Sequence, residues 1–425
     1  MQLVDSIFLG HLSPLAQGAG GLSSSVFFIS CIFGMGFVVG LDFLASRSFG
    51  EKDIPQCHYW LIQAVYISIF VTAPLMLINV FLYHHLEFFG VTEDVANSAR
   101  IFLRIINWSM LPFILYVAMR QYLQALGSVK APVVIIIIAN IFNIALNYGL
   151  IFGKLGCPQL GIAGSAIATT ATRYLLVAGL AIWIFYLDYK HHWGLRLARF
   201  KPHWAGQKEL VRLGTPAAFQ MLFESGAFSI SGILVGHLGA IPLAAHYIVL
   251  QIASSTFMIP LGLSSSAAVL VGRKVGEDRM AEGREIGNRV LGLTVFVEST
   301  LALLIYFFRI PILETFSPNP EVLRLAGVLI ILVAIFQIAD GLQVVGTGCL
   351  RGIGNTKLSS IANFLGYWIV GIPLGAYLCF TLTWGPQGIW IGLTLALFLV
   401  SAAVIAGWLV MSRRAVQKPP RPSEI

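Results

Sequence analysis

The sequence predicts an all-α, multi-pass membrane protein of about twelve transmembrane helices in two pseudo-symmetric six-helix bundles. Three observations carry that prediction: an apolar composition, recurrent apolar runs near twenty residues long, and an internal repeat. Of the 425 residues, 57% are hydrophobic and 11% charged, against ~45–50% apolar and ~25% charged in soluble domains. A water-soluble fold of that composition would leave apolar surface uncovered. Each long run spans a ~30 Å hydrocarbon layer as a helix, and none shows the period-two alternation of barrel strands.

The spans are expected at 1–22, 24–46, 59–83, 95–117, 131–153, 160–187, 209–237, 242–271, 286–309, 322–349, 358–380 and 388–411. The polar stretch DYKHHWGLRLARFKPHWAGQK divides the chain, so 1–187 reads as an N-lobe, 188–208 as a cytoplasmic linker, 209–411 as a C-lobe and 412–425 as a cytoplasmic tail.

The formal charge of +8 is spread through short connections, which argues for a topology signal and against nucleic acid as a partner. Lys and Arg gather after even-numbered spans, among them Arg47, Lys52, Arg120, Lys130, Arg196, Arg199, Arg273, Lys274, Arg351, Lys357, Lys418 and Arg421. Only Arg100, Arg104, Lys154, Arg309 and Arg324 follow odd-numbered ones. Cytoplasmic loops retain positive charge, so both termini are expected in the cytoplasm. The five cysteines show no CxxC pairing and no histidine at zinc spacing, which points to neither a disulfide framework nor a zinc site. A cleavable signal peptide is not expected, because Met1 leads straight into apolar sequence.

The repeat is read from IFLGHL at Ile7–Leu12 and ILVGHL at Ile233–Leu238, a displacement of 226 that also carries Arg47, Gly50 and Glu51 onto Arg273, Gly276 and Glu277. Leu123, Gly127 and Lys130 match Leu350, Gly354 and Lys357, and Gly161-Ile162 matches Gly388-Ile389. Six helices is an even number, so both copies enter the bilayer in one orientation, as in parallel-repeat transporters that bind substrate near the midplane. The same displacement puts the expected start of the first span about seventeen residues before Met1, so that span is expected to lack its cytoplasmic end.

A carboxylate at the bilayer centre costs roughly 2.5–3.5 kcal/mol, so each buried acid needs a reason. Glu224 shares a helical face with Ala217, Gln220, Phe228 and Ser231. Asp340 heads a polar stripe with Gln337, Gln343 and Thr347, and Asn140, Asn143 and Asn147 form another in the first half, where Asp5 stands alone. These side chains suit either an oxygen-lined cation pocket or interhelical hydrogen-bond glue worth about 0.6 kcal/mol per contact. Glu298 has no such stripe and reads as a lone acid near lipid, while Asp42 and Arg173 read as structural. Pro112, Pro132, Pro216, Pro260 and Pro373 fall inside apolar spans, where a lost backbone bond permits bending. No enzyme is expected, since HExxH, GxSxG, P-loop and CxxC patterns are missing and GMGFVVG has the wrong glycine spacing for a dinucleotide loop.

The segments VDSIFLGHLS, NIFNIALNYGLIFGK, LGTPAAFQMLFESGAF, LAAHYIVLQIASSTFMIPLGLSSSAAVLVGRKVGE and FQIADGLQVVGTGCLRGIGNTK resemble the multidrug and toxic compound extrusion family, in its NorM-like bacterial branch. The resemblance implies a V-shaped pair of bundles in the bacterial inner membrane that exports organic cations, drugs and dyes, in exchange for inward Na+ or H+. It places coupling acids on Glu224, Asp340 and Asp5, helix-five asparagines on Asn143 and Asn147, and Na+, if that is the ion, at Glu224 and Asp340. Gln220, Gln337, Gln343 and Phe228 complete the expected substrate- or cation-binding set, with Phe223 as a further aromatic neighbour. No cofactor beyond the coupling ion is expected, and a monomer is. The competing expectation keeps the fold but moves a lipid-linked precursor or polysaccharide; it favours a basic central cavity, whereas the intramembrane charges here are mainly acidic.

Overall fold

The computed structural model describes residues 2–86, 93–195, 200–316 and 319–417, and every regular element among them is helical. In chain order these are α1 (Gln2–Leu12), α2 (Pro14–Val39), α3 (Leu41–Gly50), α4 (Ile54–His84), α5 (Glu93–Ile106), α6 (Met110–Ala125), α7 (Lys130–Phe152), α8 (Ile162–His191), α9 (Trp204–Gly236), α10 (Ala240–Gly276), α11 (Met280–Phe307), α12 (Arg309–Glu314), α13 (Pro320–Gly352), α14 (Lys357–Asn363), α15 (Ile372–Ala376) and α16 (Pro386–Gln417). Eleven helical stretches among the described residues are long and apolar enough to cross a membrane, with α2–α3, α5–α6 and Lys357–Thr381 each counted as one. Arg196, Arg199, Lys418 and Arg421, used in the sidedness argument, lie outside the described residues.

The expected first break, near residue 23, is corrected. The first helix ends at Leu12, and the second runs from Pro14 with only a slight interruption to Gly50. The reason is local chemistry that the surrounding apolar run conceals. Ser13 is extended, and its hydroxyl accepts the Ala16 N–H at 3.0 Å, a cap worth about 1 kcal/mol. Pro14 then stands where a helix leaves its first N–H groups unpaired anyway.

The prolines divide by position. Pro216 and Pro260 lie inside continuous helices, as does Pro74, whereas Pro112, Pro132 and Pro373 fall in the first turn of α6, α7 and α15. Pro112 offers no N–H to the Trp108 carbonyl four residues back, and the chain tightens to a 3-10 turn over Asn107–Ser109. The freed Trp108 oxygen accepts the Tyr174 hydroxyl at 3.3 Å, which meets the rule that backbone polar groups in lipid find internal partners.

The chain packs as two compact units, Met1–Leu41 with Asp53–Ala218 and Asp42–Lys52 with Phe219–Ile425. In the first, Gln63 clamps the segment before α9, donating to the Lys201 carbonyl at 3.1 Å and accepting the His203 N–H at 2.8 Å.

In the second unit, two positions matched by the sequence repeat face each other. A Cβ at Gly276 would stand 2.9 Å from the Arg47 carbonyl carbon and 3.0 Å from the Glu51 nitrogen, and one at Gly50 would stand 3.0 Å from the Arg273 carbonyl carbon and 3.1 Å from the Glu277 nitrogen. Each glycine thus admits the backbone of the other's helix, and this reciprocal approach of α3 and α10 is why residues 42–52 pack with the second unit. Small residues at helix crossings serve the same end throughout membrane proteins, because dispersion contacts replace the hydrophobic drive between helices. Nearby, Lys274 pairs with Glu277 at 2.6 Å and with Glu282 at 3.1 Å, and Arg279 pairs with Glu282. The Lys274 ammonium, followed by the Arg279 and Arg273 charges, holds Glu277 below the usual carboxylate range.

A core of Leu329, Ile330, Val333, Phe336, Trp390, Leu393 and Leu397 joins α13 to α16 in this unit. Between α14 and Thr381 the helix widens to i→i+5 turns over Phe364–Gly371 and Tyr377–Thr381. Such turns add a residue to the coil and re-aim side chains, here Tyr367.

Candidate functional site

In the first unit, α1, α7 and α8 bring Asp5, Asn147 and Thr169 together. The Asn147 amide donates to Asp5 Oδ1 at 2.9 Å, and the Thr169 hydroxyl donates to Asp5 Oδ2 at 2.6 Å. Asn143 donates to Thr169 Oγ1 at 3.3 Å, which leaves the threonine proton free to point at the acid. Asn147 also donates to its own helix at the Asn143 carbonyl, and Asn140 donates to the Ile136 carbonyl. Asp5 is therefore no solitary acid. Its two oxygens each receive a donor, as an ionised carboxylate requires when enclosed.

Arg173 of α8 lies within electrostatic range of Asp5 and donates to the Ser109 hydroxyl at 2.6 Å. Its guanidinium sits 4.7 Å from the Phe27 ring centroid and 4.8 Å from that of Phe113. Asp5 and Arg173 are thus an enclosed acid and an enclosed base within range of each other. Stacked between two rings, Arg173 is positioned as a fixed charge.

The second unit is different. Gln343 of α13 is fully enclosed and forms the centre of a hydrogen-bonded group: its amide donates to Glu224 Oε2 of α9 and to Asn363 Oδ1 of α14, both at 3.3 Å, and its oxygen accepts the Tyr367 hydroxyl at 3.1 Å. Gln220, one turn before Glu224, also bonds that carboxylate. Phe228 lies against Tyr367 with ring centroids 6.1 Å apart. Phe223 belongs to an aromatic group with Phe364 and Trp368, whose indole N–H donates to the Phe223 carbonyl at 3.0 Å.

Asp340 is closed off, 7% exposed, with Glu224 and Glu298 both within electrostatic range and no hydrogen-bond partner for its Oδ1 among the described residues. Glu224 keeps part of its surface open.

The expectation for Glu298 is corrected. Its side chain is 0% exposed and faces α13, not lipid. A Cβ at Gly341 would stand 2.6 Å from Glu298 Cγ, so the glycine beside Asp340 makes the recess that admits this acid. Gln337 approaches the Glu298 carboxylate without reaching regular hydrogen-bond geometry. The stripe read along α13 therefore serves two neighbours, with Gln343 directed to Glu224 and Gln337 to Glu298. Thr347 is buried and its hydroxyl meets no partner among the described residues.

Thr169, Asn363 and Tyr367 join these groups without having been expected. Asn363 was discoverable, as an amide inside an apolar run, whereas Tyr367 enters only through the widened turns. Asp42 is buried with the Arg351 guanidinium 3.9 Å away, consistent with a structural place.

Repeated membrane-length helices enclosing partnered and unpartnered carboxylates have the build of a secondary transporter. The chain belongs to the MATE family, a family of transporters and not of enzymes: the MatE family model matches residues 1–149 and 216–377. It is 32% identical to the "Probable multidrug resistance protein NorM" of Mesorhizobium japonicum over 98% of this chain and 90% of that one. It is 30% identical to the protein of the same name from Bradyrhizobium diazoefficiens, with the same coverage. The fold matches the crystal structure of the eukaryotic MATE transporter AtDTX14 with a TM-score of 0.87 at 22% identity, covering 98% of this chain and 93% of that one. It also matches the outward-facing conformation of a multidrug resistance MATE family transporter of the MOP superfamily, with a TM-score of 0.87 at 16% identity over 98% and 92%.

Proposed function

We propose that this chain is a multidrug efflux antiporter that exports lipophilic organic cations in exchange for inward Na+ or H+. It works by alternating access between two six-helix lobes, 1–187 and 209–411, as a monomer in the bacterial inner membrane with both termini cytoplasmic. The NorM-named relatives support the cargo class. The observation that carries the coupling reading is Asp340, an enclosed carboxylate with an unfilled oxygen and no ion pair among the described residues, within electrostatic range of Glu224.

An ionised carboxylate in a low-dielectric site attracts a cation strongly, and occupation of that charge by Na+ or a proton removes the attraction. Outside, an entering cation takes Glu224 and Asp340 and the organic cation leaves. Inside, the cation is lost and the next organic cation is held. Asp5, with Asn147, Thr169 and Asn143, provides a second exchange point in the first unit, where Arg173 supplies a fixed positive charge. Gln220, Gln343 and Gln337 set the orientation of the second unit's carboxylates, and Phe228 adds an aromatic wall for the cargo.

The test is ethidium efflux from loaded proteoliposomes under an imposed Na+ gradient and then a proton gradient, with Glu224→Gln and Asp340→Asn alongside. Gradient-driven efflux in the parent chain and its loss in both variants are expected. Undiminished coupled efflux in both variants overturns the site assignment. Movement of a lipid-linked pyrophosphate without any ion coupling favours the flippase reading.

A further inference from the structure

Glu298 has no part in the coupling scheme so far, yet its burial demands one. It is fully enclosed, its carboxylate oxygens lack regular hydrogen bonds, and among the described residues none of Glu298, Asp340 and Glu224 is in an ion pair. An uncompensated charge in such a place is expensive, and structural use of a side chain there would be served better by an apolar residue of similar volume. The fold nevertheless makes room for it. Glu298 Cδ would lie 3.2 Å from a Cβ at Gly341, the residue next to Asp340, and Thr294, one turn before Glu298, lies against the same glycine.

Among the described residues the surroundings offer polar groups but no base. Facing the group are Asp340 and Gln337 from α13, Glu224 from α9, and Tyr367 from the widened helix, within electrostatic range of Glu224 and Asp340. His246 of α10 faces elsewhere, toward Trp390 of α16, with ring centroids 5.5 Å apart. The first unit offsets Asp5 with Arg173; among the described residues no Lys or Arg offsets Glu224, Asp340 or Glu298 in this way. Among the described residues, no three His, Cys, Asp or Glu side chains converge as a metal-ion group, so Glu298 does not share one coordination point with Glu224 and Asp340.

We propose that Glu298 is a further cation-exchanging carboxylate, so that the second unit carries two monovalent cations per transport cycle, one at Glu224 and Asp340 and one at Glu298. This rests on the coupling reading above. Glu298 is fully enclosed against α13, so its site fills and empties only when α11 and α13 shift against each other.

The experiment is the steady-state ethidium ratio across proteoliposomes against the imposed Na+ ratio, and separately the imposed proton ratio, with the membrane potential clamped. The logarithmic slope counts cations moved per ethidium. Glu298→Gln is expected to lower that slope by one for the coupling ion, with Glu298→Asp keeping it. A merely structural role lowers the rate and leaves the slope unchanged, and that result overturns the proposal. If Glu298→Gln does not fold, Gly341→Ala, which drives the carboxyl from its recess, gives the same reading: a slope lower by one supports the proposal and an unchanged slope overturns it. A parent slope of zero for both ions would instead sink the coupling reading itself, so the two failures are distinguishable.

Discussion

Substitution of Gly276 by alanine tests the packing of the second unit at its tightest point. The added Cβ would stand 2.9 Å from the Arg47 carbonyl carbon, with the carbonyl oxygen nearer still. Carbon atoms in contact rest at about 3.5–4.0 Å, so α3 and α10 must part by at least about 0.6–1 Å. The obstacle is backbone, which cannot turn aside as a side-chain tip can. Overpacking of this kind costs about 1–3 kcal/mol, a factor of about 5–150 in the folded-to-unfolded ratio. Gly50→Ala meets the matching obstacle at Arg273 and should cost a similar amount. Because either substitution opens the same gap, the double variant should cost less than the two single ones added together, the signature of coupled neighbours. Thermal unfolding of the purified protein in detergent, read for both single variants and the double, decides it. Unchanged unfolding for Gly276→Ala, or strict additivity in the double, refutes the reciprocal approach.

Thr169→Val keeps the side-chain shape and removes a 2.6 Å donor from Asp5. A hydrogen bond to a charged group is worth about 1.5–3 kcal/mol, so half-maximal transport should need a cation concentration changed by about tenfold or more, as measured by ethidium efflux; no change removes Asp5 from the exchange. Tyr367→Phe takes one donor from Gln343 and frees its oxygen, and transport should slow while the protein stays folded, as checked by initial efflux rates alongside thermal unfolding. Glu277 titrates below the usual carboxylate range, so its ion pairs are intact above that range and are lost as pH falls through its lowered value; acidification should lower the amide protection factors of residues 277–283, taken relative to the intrinsic exchange rate at each pH, and Glu277→Gln should remove that change, by hydrogen-exchange mass spectrometry.

Some of this was legible in the sequence and some was not, for physical reasons. Hydropathy placed ten of the twelve spans well, because an apolar run of membrane length leaves the chain little choice. It misplaced the first break, since Ser13-Pro14 is a short signal inside apolar sequence. The displacement of 226 foresaw matched Arg47–Glu51 and Arg273–Glu277 segments, though not that they would meet. Intramembrane polarity picked out Glu224, Asp340, Gln343, Asp5 and Asn147, all of which lie in the two groups. Spacing could not say how the α13 stripe divides. Residues three apart differ by about 60° around a helix, so Gln337 and Gln343 diverge by about 120° and reach different neighbours. Glu298 was misjudged for a related reason: what encloses it is the missing Cβ of Gly341 on another helix, which no pattern along α11 records.

The measurement closest to the centre of this account is ethidium bound to the purified protein, titrated with Na+ at fixed pH and with protons at fixed salt. One of the two ions should displace ethidium competitively, and the Glu224→Gln, Asp340→Asn double variant should lose that displacement while retaining its fold. Displacement with the same midpoint in the double variant would contradict it, because the buried carboxylates would then not be where the two cations contend.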